Sequence, residues 1–360
     1  MSDCRTAPAG TLTDDLWDAV LHGDEAAAVA VVLAALDAGA EPEDVLLDLI
    51  VPVQSRVGEE WAANRISVAQ EHAATAINDR AVAALALRAP AAAPDAGRIT
   101  VACVDGEWHA LPARLLAEVL RLRGWRVDYL GAQVPTPHLI GHLHRTGPDL
   151  VALSSSLATR LPTAHATITA CQATGVPVLA GGAAFGADGR YARLLGADAW
   201  APDARAAADL LAGGPLPRTA RPHQPYDDLP HLDDQEYTLV ARTHAALVKA
   251  VLGGLEDRFP AMRDYSAFQR ERTAEDVAHV VEYLGVSLYT DDADLFAGFL
   301  AWTTGILTAR GVPGHSLRPV LEILSEELKD FPRSTRHLRL ALDALPAGPR
   351  STAAKGRPHV

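Results

Sequence analysis

Between residues 97 and 212, short apolar runs alternate with segments of about a dozen residues whose apolar positions recur at helical spacing. Few folds accommodate that alternation. The runs lie at 99–104, 125–131, 150–153, 177–180 and 196–203, and turn-forming or small residues follow them. Strands that are apolar along their length are buried on both faces, and strands joined through helices pair in parallel. The expectation is an α/β domain over 97–212 built on a doubly wound parallel sheet, Rossmann-like or flavodoxin-like. Such sheets bind their ligands in the crevice outside the carboxyl ends of the strands.

The first run stops at Asp105-Gly106, and the next helical segment opens at Pro112, with Leu115, Leu116, Val119 and Leu120 on its apolar face. Glu107, Trp108 and His109 therefore fall in that crevice. An imidazole there, two residues after a carboxylate, suits a general base, a metal ligand oriented by the carboxylate, or an ordinary polar loop residue. The other strand ends carry Leu130-Gly131, Ser154-Ser155-Ser156-Leu157 and Gly181-Gly182. Taken singly each is a tight turn. Taken together they leave out the bulky side chains that a long flat ligand would displace.

Residues 11–90 read as four helices, at roughly 13–22, 24–38, 42–63 and 67–88. Pro42 suits a first helical position, Ser67 and Gln70 have capping-box spacing, and Val45, Leu46, Leu49 and Ile50 recur as one apolar face. A four-helix bundle is the economical architecture. Within it Trp61 is followed ten positions later by Glu71-His72, and Val68, Glu71 and His72 share a helix face. From the residues alone Trp61 suits the core and Glu71-His72 a solvated pair.

These stretches resemble the cobalamin-binding domain of methionine synthases, corrinoid carriers and cobalamin photoreceptors. The family pattern Asp-x-His-x-x-Gly, Ser-x-Leu and Gly-Gly corresponds here to Glu107-Trp108-His109-Ala110-Leu111-Pro112, Ser154–Leu157 and Gly181-Gly182. Glu107 stands in place of the aspartate and Pro112 in place of the glycine. The resemblance implies His109 as the lower ligand of cobalt. It implies Ser154, Ser156, Leu157, Gly181 and Gly182 as the lining of a slot for the displaced dimethylbenzimidazole tail, with the bundle as a cap over the upper corrin face. Tryptophan, nine residues, then Glu-His is similar to the motif by which the photoreceptors cradle the upper group of adenosylcobalamin. That implies Trp61 as an apolar wall, Val68 as a contact, and Glu71 and His72 as partners of the ribose.

The Gly- and Pro-rich stretch at 213–230 reads as a linker. Residues 231–346 then read as an all-helical domain of globin or bundle type, and 347–360 as a disordered tail. The order of bundle, cobalamin domain and helical domain, with Arg310-Gly-Val-Pro313 after a Trp302-containing helix, is similar to that of the photocobilins, which add biliverdin. The resemblance implies a globin-like bilin domain. Its candidate residues are Arg263, Arg270, His279, Tyr283, Trp302, His315 and Arg318. Without a cysteine beyond Cys171, that domain has no thiol for a thioether to the bilin.

A net charge of −13 disfavours nucleic acid, because phosphate contacts need a basic surface. No helix-turn-helix pattern precedes the bundle. No apolar run reaches membrane-spanning length, and there is no signal-peptide core. Cys4, Cys103 and Cys171 form neither a metal set nor a disulfide framework, so the compartment reads as cytoplasm. The expected protein is a non-enzymatic light sensor holding adenosylcobalamin and biliverdin. It would signal through a light-dependent homo-oligomer, a dimer, to an unidentified downstream protein. Two alternatives stay open: a corrinoid methyl carrier serving methyltransferases, and a cobalamin domain fused to a haem-binding sensor globin with His279 as proximal ligand.

Overall fold

The computed structural model describes residues 9–90, 93–216, 229–258 and 260–346. Most of the expected linker and the whole expected tail lie outside these residues. Contacts divide the chain into two compact units, Met1–Pro230 and His231–Val360.

The first unit opens with α1 (Ala9–Leu21) and α2 (Glu25–Asp37), the latter capped by the Asp24 carboxylate on the Ala27 N–H. A third helical stretch runs in three pieces: α3 (Pro42–Asp44), a π-helical segment (Val45–Ile50) and α4 (Val51–Ala62). Pro52 explains the widening, since a proline inside a helix lacks an N–H and crowds the carbonyl four residues back. α5 (Val68–Arg88) starts with the full capping box of Ser67 and Gln70. These helices form the expected bundle.

Five parallel strands follow: β1 (Gly97–Cys103), β2 (Trp125–Gly131), β3 (Leu150–Ser154), β4 (Val178–Gly181) and β5 (Ala199–Ala201), in the order β2-β1-β3-β4-β5. They alternate with α6 (Leu111–Leu122), α7 (Thr136–Thr146), α8 (Leu161–Ala173), α9 (Arg190–Leu194) and α10 (Ala204–Ala212). The direction of winding reverses between β1 and β3, so the loops after these two strands border the topological switch point. One core runs without a break from Leu46, Ile50 and Leu85 of the bundle through Leu115 and Leu120 of α6 to Ile99, Val101 and Leu179 of the sheet. The bundle and the α/β domain, separable in sequence, are thus one packed body.

The second unit has five α-helices among the described residues: α11 (Glu236–Arg258), α12 (Ala267–Thr290), α13 (Ala293–Ala309), α14 (Arg318–Glu327) and α15 (Pro332–Ala344). Their core includes Val251, Val281, Leu284, Phe296, Leu321 and Leu338. No described helix in either unit is long and apolar enough to cross a membrane.

Two polar ties hold this unit's helices in register. α15 has no side-chain cap of its own; instead the buried Glu236 carboxylate accepts from the Arg333 N–H (3.0 Å), the Ser334 N–H (2.6 Å) and the Ser334 hydroxyl (2.7 Å). A carboxylate from α11 therefore caps the N-terminus of α15. Glu236→Ala leaves two helix-end N–H groups unpaired and is expected to cost the unit about 3 kcal/mol in urea unfolding. A loss under about 1 kcal/mol would mean that water replaces the cap.

The second tie is His337, fully buried, with Nδ1 2.9 Å from the Ser287 hydroxyl. That hydroxyl donates to the Leu284 carbonyl, so Nδ1 carries a proton, and Nε2 accepts from Arg336 Nη2 at 3.3 Å, so the ring is neutral. Burial, helped by the neighbouring Arg336, lowers its pKa from 6.5 to about 4. Between these values the unfolded chain binds the extra proton and the folded one does not, so stability falls as pH drops from 6.5 toward 4. The expected loss is about 3 kcal/mol. His337→Asn should flatten that slope; an unchanged slope would place its origin elsewhere.

Candidate functional site

The residues after β1 are organised by a single carboxylate. Glu107 is fully buried, and its Oε1 accepts from the His109 backbone N–H at 2.9 Å and pairs with His109 Nδ1 at 2.6 Å. Its Oε2 accepts from the Ser156 N–H (2.7 Å), the Leu157 N–H (2.9 Å) and the Ser155 hydroxyl (3.1 Å). Burial alone would raise its pKa. The donors from His109, Leu157 and Ser156 outweigh that and hold the carboxyl down at about 2. The anion fixes the His109 ring, engages Nδ1 and leaves Nε2 for an outside ligand, the arrangement that metal-binding histidines use. Trp108, half exposed, stacks on the imidazole with ring centroids 3.8 Å apart.

The loops after β3 and β4 close against each other beside this pair. Gly182 has φ +99°, and a Cβ there would lie 2.3 Å from the Ser155 carbonyl oxygen. Only glycine permits that approach. Beneath the loop, burial raises the Cys103 thiol to about 12, with the Glu107 charge adding to it, so the thiol stays neutral.

Above His109 opens a cleft of about 1210 Å³ between the bundle and the strand ends. It exceeds the usual size of small-molecule pockets. Its floor includes Trp108, His109, Tyr129, Gly131, Ser156 and Gly182. Its roof includes Asp48, Gln54, Glu71, His72 and Thr75. The His72 and Trp108 rings face each other across it at 6.3 Å. At the rim, Arg205 bonds to Asp44 and Asp48 of the bundle at 3.0 and 2.9 Å, and Arg123 bonds to Glu43 at 2.7 Å. The Arg123 bond also lowers the Glu43 pKa. A second, narrow cavity of about 100 Å³ lies between the strand ends and α6, lined by Ser154, Gly181, Gly182 and Pro112 among others.

The structure thus brings Glu71, His72, Trp108, His109, Gly131, Ser156 and Gly182 onto one cleft, with Ser154 and Gly181 at the adjoining slot. Leu157 contributes its backbone N–H to Glu107, and Leu130 sits half-buried in β2 without lining either space. Trp61 and Val68 depart from the expectation. Trp61 lies in the last turn of α4, packed half-buried against the bundle core, and Val68, the first residue of α5, is 54 % exposed; neither lines the cleft. Trp61 is seven residues beyond Gln54, on the same face of α4 but two turns further along, at the end of the helix that precedes the reversal through Asn64 (φ 57°). Residues not foreseen are Ser155, Gln54, Thr75 and Asn78.

In the second unit the candidates do not converge. Arg270 donates to the Tyr265 and Arg263 carbonyls, and Arg318 to those of Leu342 and Leu345, so both guanidiniums serve the backbone. Arg263 is exposed. His279, a bilin candidate and the proximal ligand of the haem alternative, is also exposed; Val277, Val280, Val281 and Leu284 take the buried positions around it. Tyr283 stacks on Phe299 at 3.7 Å, and Phe299 lies 6.4 Å from Trp302, which is 54 % exposed. His315 sits half-buried in the turn after α13.

A cobalt corrinoid, whose macrocycle supplies four nitrogens, would be held by one protein nitrogen, and the Glu107-held His109 fits that need. His109→Ala should weaken cobalamin binding by about tenfold or more and abolish the histidine signature in the visible spectrum. Glu107→Ala, which keeps the imidazole but releases it, should cost about 10- to 100-fold. Unchanged affinity and spectrum in both variants would remove His109 from the site.

Comparison with known proteins agrees with this geometry. Residues 12–86 and 97–212 each match a family described as B12 binding domain. The HTH-type transcriptional repressors CarA and CarH of Myxococcus xanthus are 32% and 33% identical over 148 and 158 residues, 41% and 42% of this chain. The chain spans about half the length of these relatives (48% and 50%). Among solved structures, the monomethylamine corrinoid protein of Methanosarcina barkeri superposes with a TM-score of 0.52 at 21% identity, over 57% of this chain and 100% of its own, a likeness of fold. The region from 12 to 212 is therefore a pair of B12-binding domains, and cobalamin is the cofactor class of this chain.

Proposed function

We propose that the chain is a light sensor that binds adenosylcobalamin between the bundle and the α/β domain and signals by a change of assembly. The observation that carries this reading is the cleft itself. It has a fixed imidazole on its floor and a carboxylate, an amide and a hydroxyl on its roof, more polar equipment than a small upper group on cobalt can use. Similarity to the cobalamin photoreceptors in the Glu71-His72 motif, and to the two repressors over their matched half, supports it.

Adenosylcobalamin supplies a cobalt–carbon bond that light breaks. The protein's part is to hold it: His109 from below, Glu71 and His72 from above, and Ser154, Gly181 and Gly182 along the slot for the nucleotide tail. In the dark these roof groups would be satisfied by the upper group. Its loss would take one contact each from Glu71 and Gln54, which keep their protein partners Thr75, His72 and Asn78, and would give the bundle a reason to repack. A ligand moves such an equilibrium only through contacts that differ between the two states, and these roof contacts are of that kind. We assign the output to a homo-oligomer, a dimer in one state, and an unidentified downstream protein, without nucleic acid, membrane or enzymatic turnover, in the cytoplasm. The second unit would take biliverdin along the Tyr283–Phe299–Trp302 aromatic face.

The test is reconstitution of the full chain in the dark with adenosylcobalamin and biliverdin. Far-red bilin absorption beside the cobalamin bands is expected, with green or blue light converting the cobalamin spectrum and shifting the elution volume in size-exclusion chromatography. Identical elution of dark and lit samples with the bond cleaved would overturn the assembly switch. Failure to bind biliverdin would overturn the bilin assignment, and a haem Soret band in its place would favour the sensor-globin reading. Binding of methylcobalamin as tight as that of adenosylcobalamin would favour the methyl carrier.

A further inference from the structure

We infer that Gln54 is a specificity-determining residue of the cleft's roof, selecting a nucleoside-bearing upper ligand over a methyl or hydroxo one. This rests on the cobalamin reading above and names the residue that would enforce it.

Four side chains from two helices form one directed chain. Asn78, fully buried on α5, donates through Nδ2 to Gln54 Oε1 of α4 at 2.8 Å. Gln54 Nε2 donates to Thr75 Oγ1 at 2.8 Å, and Thr75 Oγ1 donates to Glu71 Oε1 at 2.9 Å. The other Glu71 oxygen pairs with His72 Nδ1. The direction follows from proton counting. A threonine hydroxyl has one hydrogen, and an ionised carboxylate only accepts, so Thr75 spends its hydrogen on Glu71 and must accept from Gln54. That turns the Gln54 nitrogen toward Thr75 and its oxygen toward Asn78.

The arrangement has a cost. Asn78 Oδ1 is buried without a hydrogen-bond partner. Unpaired buried acceptors are uncommon because they forfeit their hydration, and an apolar residue of similar volume would fill the same space without that loss. What the amide provides is orientation of Gln54. Gln54 and Glu71 both line the cleft. The Gln54 amide, with one hydrogen given to Thr75, keeps a second for a ligand, and Glu71 keeps acceptor capacity beside it. A donor next to an acceptor matches a purine nucleoside, whose ring nitrogens accept and whose amine and hydroxyls donate. A methyl group can use neither, and a hydroxo or water ligand is too short to reach across to the roof.

The measurement is the ratio of dissociation constants for methylcobalamin and adenosylcobalamin on the full chain in the dark. The parent should favour adenosylcobalamin. Gln54→Leu should lower that ratio by roughly three- to tenfold, the range for one lost hydrogen bond, with methylcobalamin affinity kept and the thermal midpoint lowered, because the buried Asn78 amide loses its acceptor. Thr75→Val, a nearly isosteric change that cuts the chain one link further on, should do the same and carries the test if Gln54→Leu folds poorly. A ratio unchanged in both variants, or both cofactors weakened equally, overturns the role of Gln54 while leaving the cobalamin reading in place. A parent with no preference overturns the adenosyl reading and the inference together.

Discussion

The site depends on one buried carboxylate. Glu107 has no contact with water, yet it stays ionised because five groups point hydrogens at it: two from His109, two backbone N–H groups from the loop after β3 and the Ser155 hydroxyl. An anion without such partners would be prohibitively costly at that depth. With them it acts as a clasp between the loops after β1 and β3, at the point where the winding of the sheet reverses. Gly182 completes the clasp, since the loop after β4 reaches Ser155 only because that position carries no side chain. The longer arm of glutamate serves this geometry: one oxygen meets its own loop while the other crosses to the neighbouring strand end. Removal of Glu107 would release the imidazole, the serine loop and the Gly-Gly turn together.

The roof is built on a different principle. Its polar groups belong to a helical bundle joined to the sheet by a continuous apolar core and, at the rim, by Arg205 and Arg123 on Glu43, Asp44 and Asp48. Exposed ion pairs contribute little to stability and are screened by salt, so their main effect here is to bias the orientation of the cap. The π-helical stretch before Pro52 changes the register of the helix that presents Asp48, Val51 and Gln54 to the cleft. A straight α-helix would rotate these residues relative to α5 and break the chain through Thr75.

Much of this was legible in the sequence, for physical reasons that differ from place to place. The inner strands β1, β3 and β4 were readable because both of their faces are buried, which writes apolar runs without alternation. The start of α5 was readable because its cap is local: Ser67 and Gln70 meet within one turn. His109 and Glu107 were readable because they are two residues apart and satisfy each other. The polar chain in the roof was not, because Gln54 lies 21 and 24 residues from its partners and on another helix. The placement of Trp61 was not either, since spacing across a helix reversal gives distance along the chain but not how far along the helix axis from the cleft the residue ends up. In the C-terminal unit, Arg270 and Arg318 looked like candidates for ligand carboxylates. An arginine near a helix end has carbonyls to satisfy first, and these two do so.

The two halves of the cleft therefore differ in how firmly they are held, and that difference bears on signalling. Below, both Glu107 oxygens are fully committed to protein donors and the floor keeps one free atom, His109 Nε2, on a ring that is already held in place. Above, the chain of amide, hydroxyl and carboxylate ends in groups that still have capacity to spare, and His72 at its end is exposed. Gain or loss of an upper ligand changes the balance of the roof and leaves that of the floor nearly untouched. Differential contact free energy is what moves a conformational equilibrium, and in this chain it is concentrated on the bundle side. A cap carried by side chains with hydrogen-bonding capacity to spare, over a base whose one free imidazole nitrogen is already fixed in place, is the asymmetry by which occupancy would be read out as movement of the bundle.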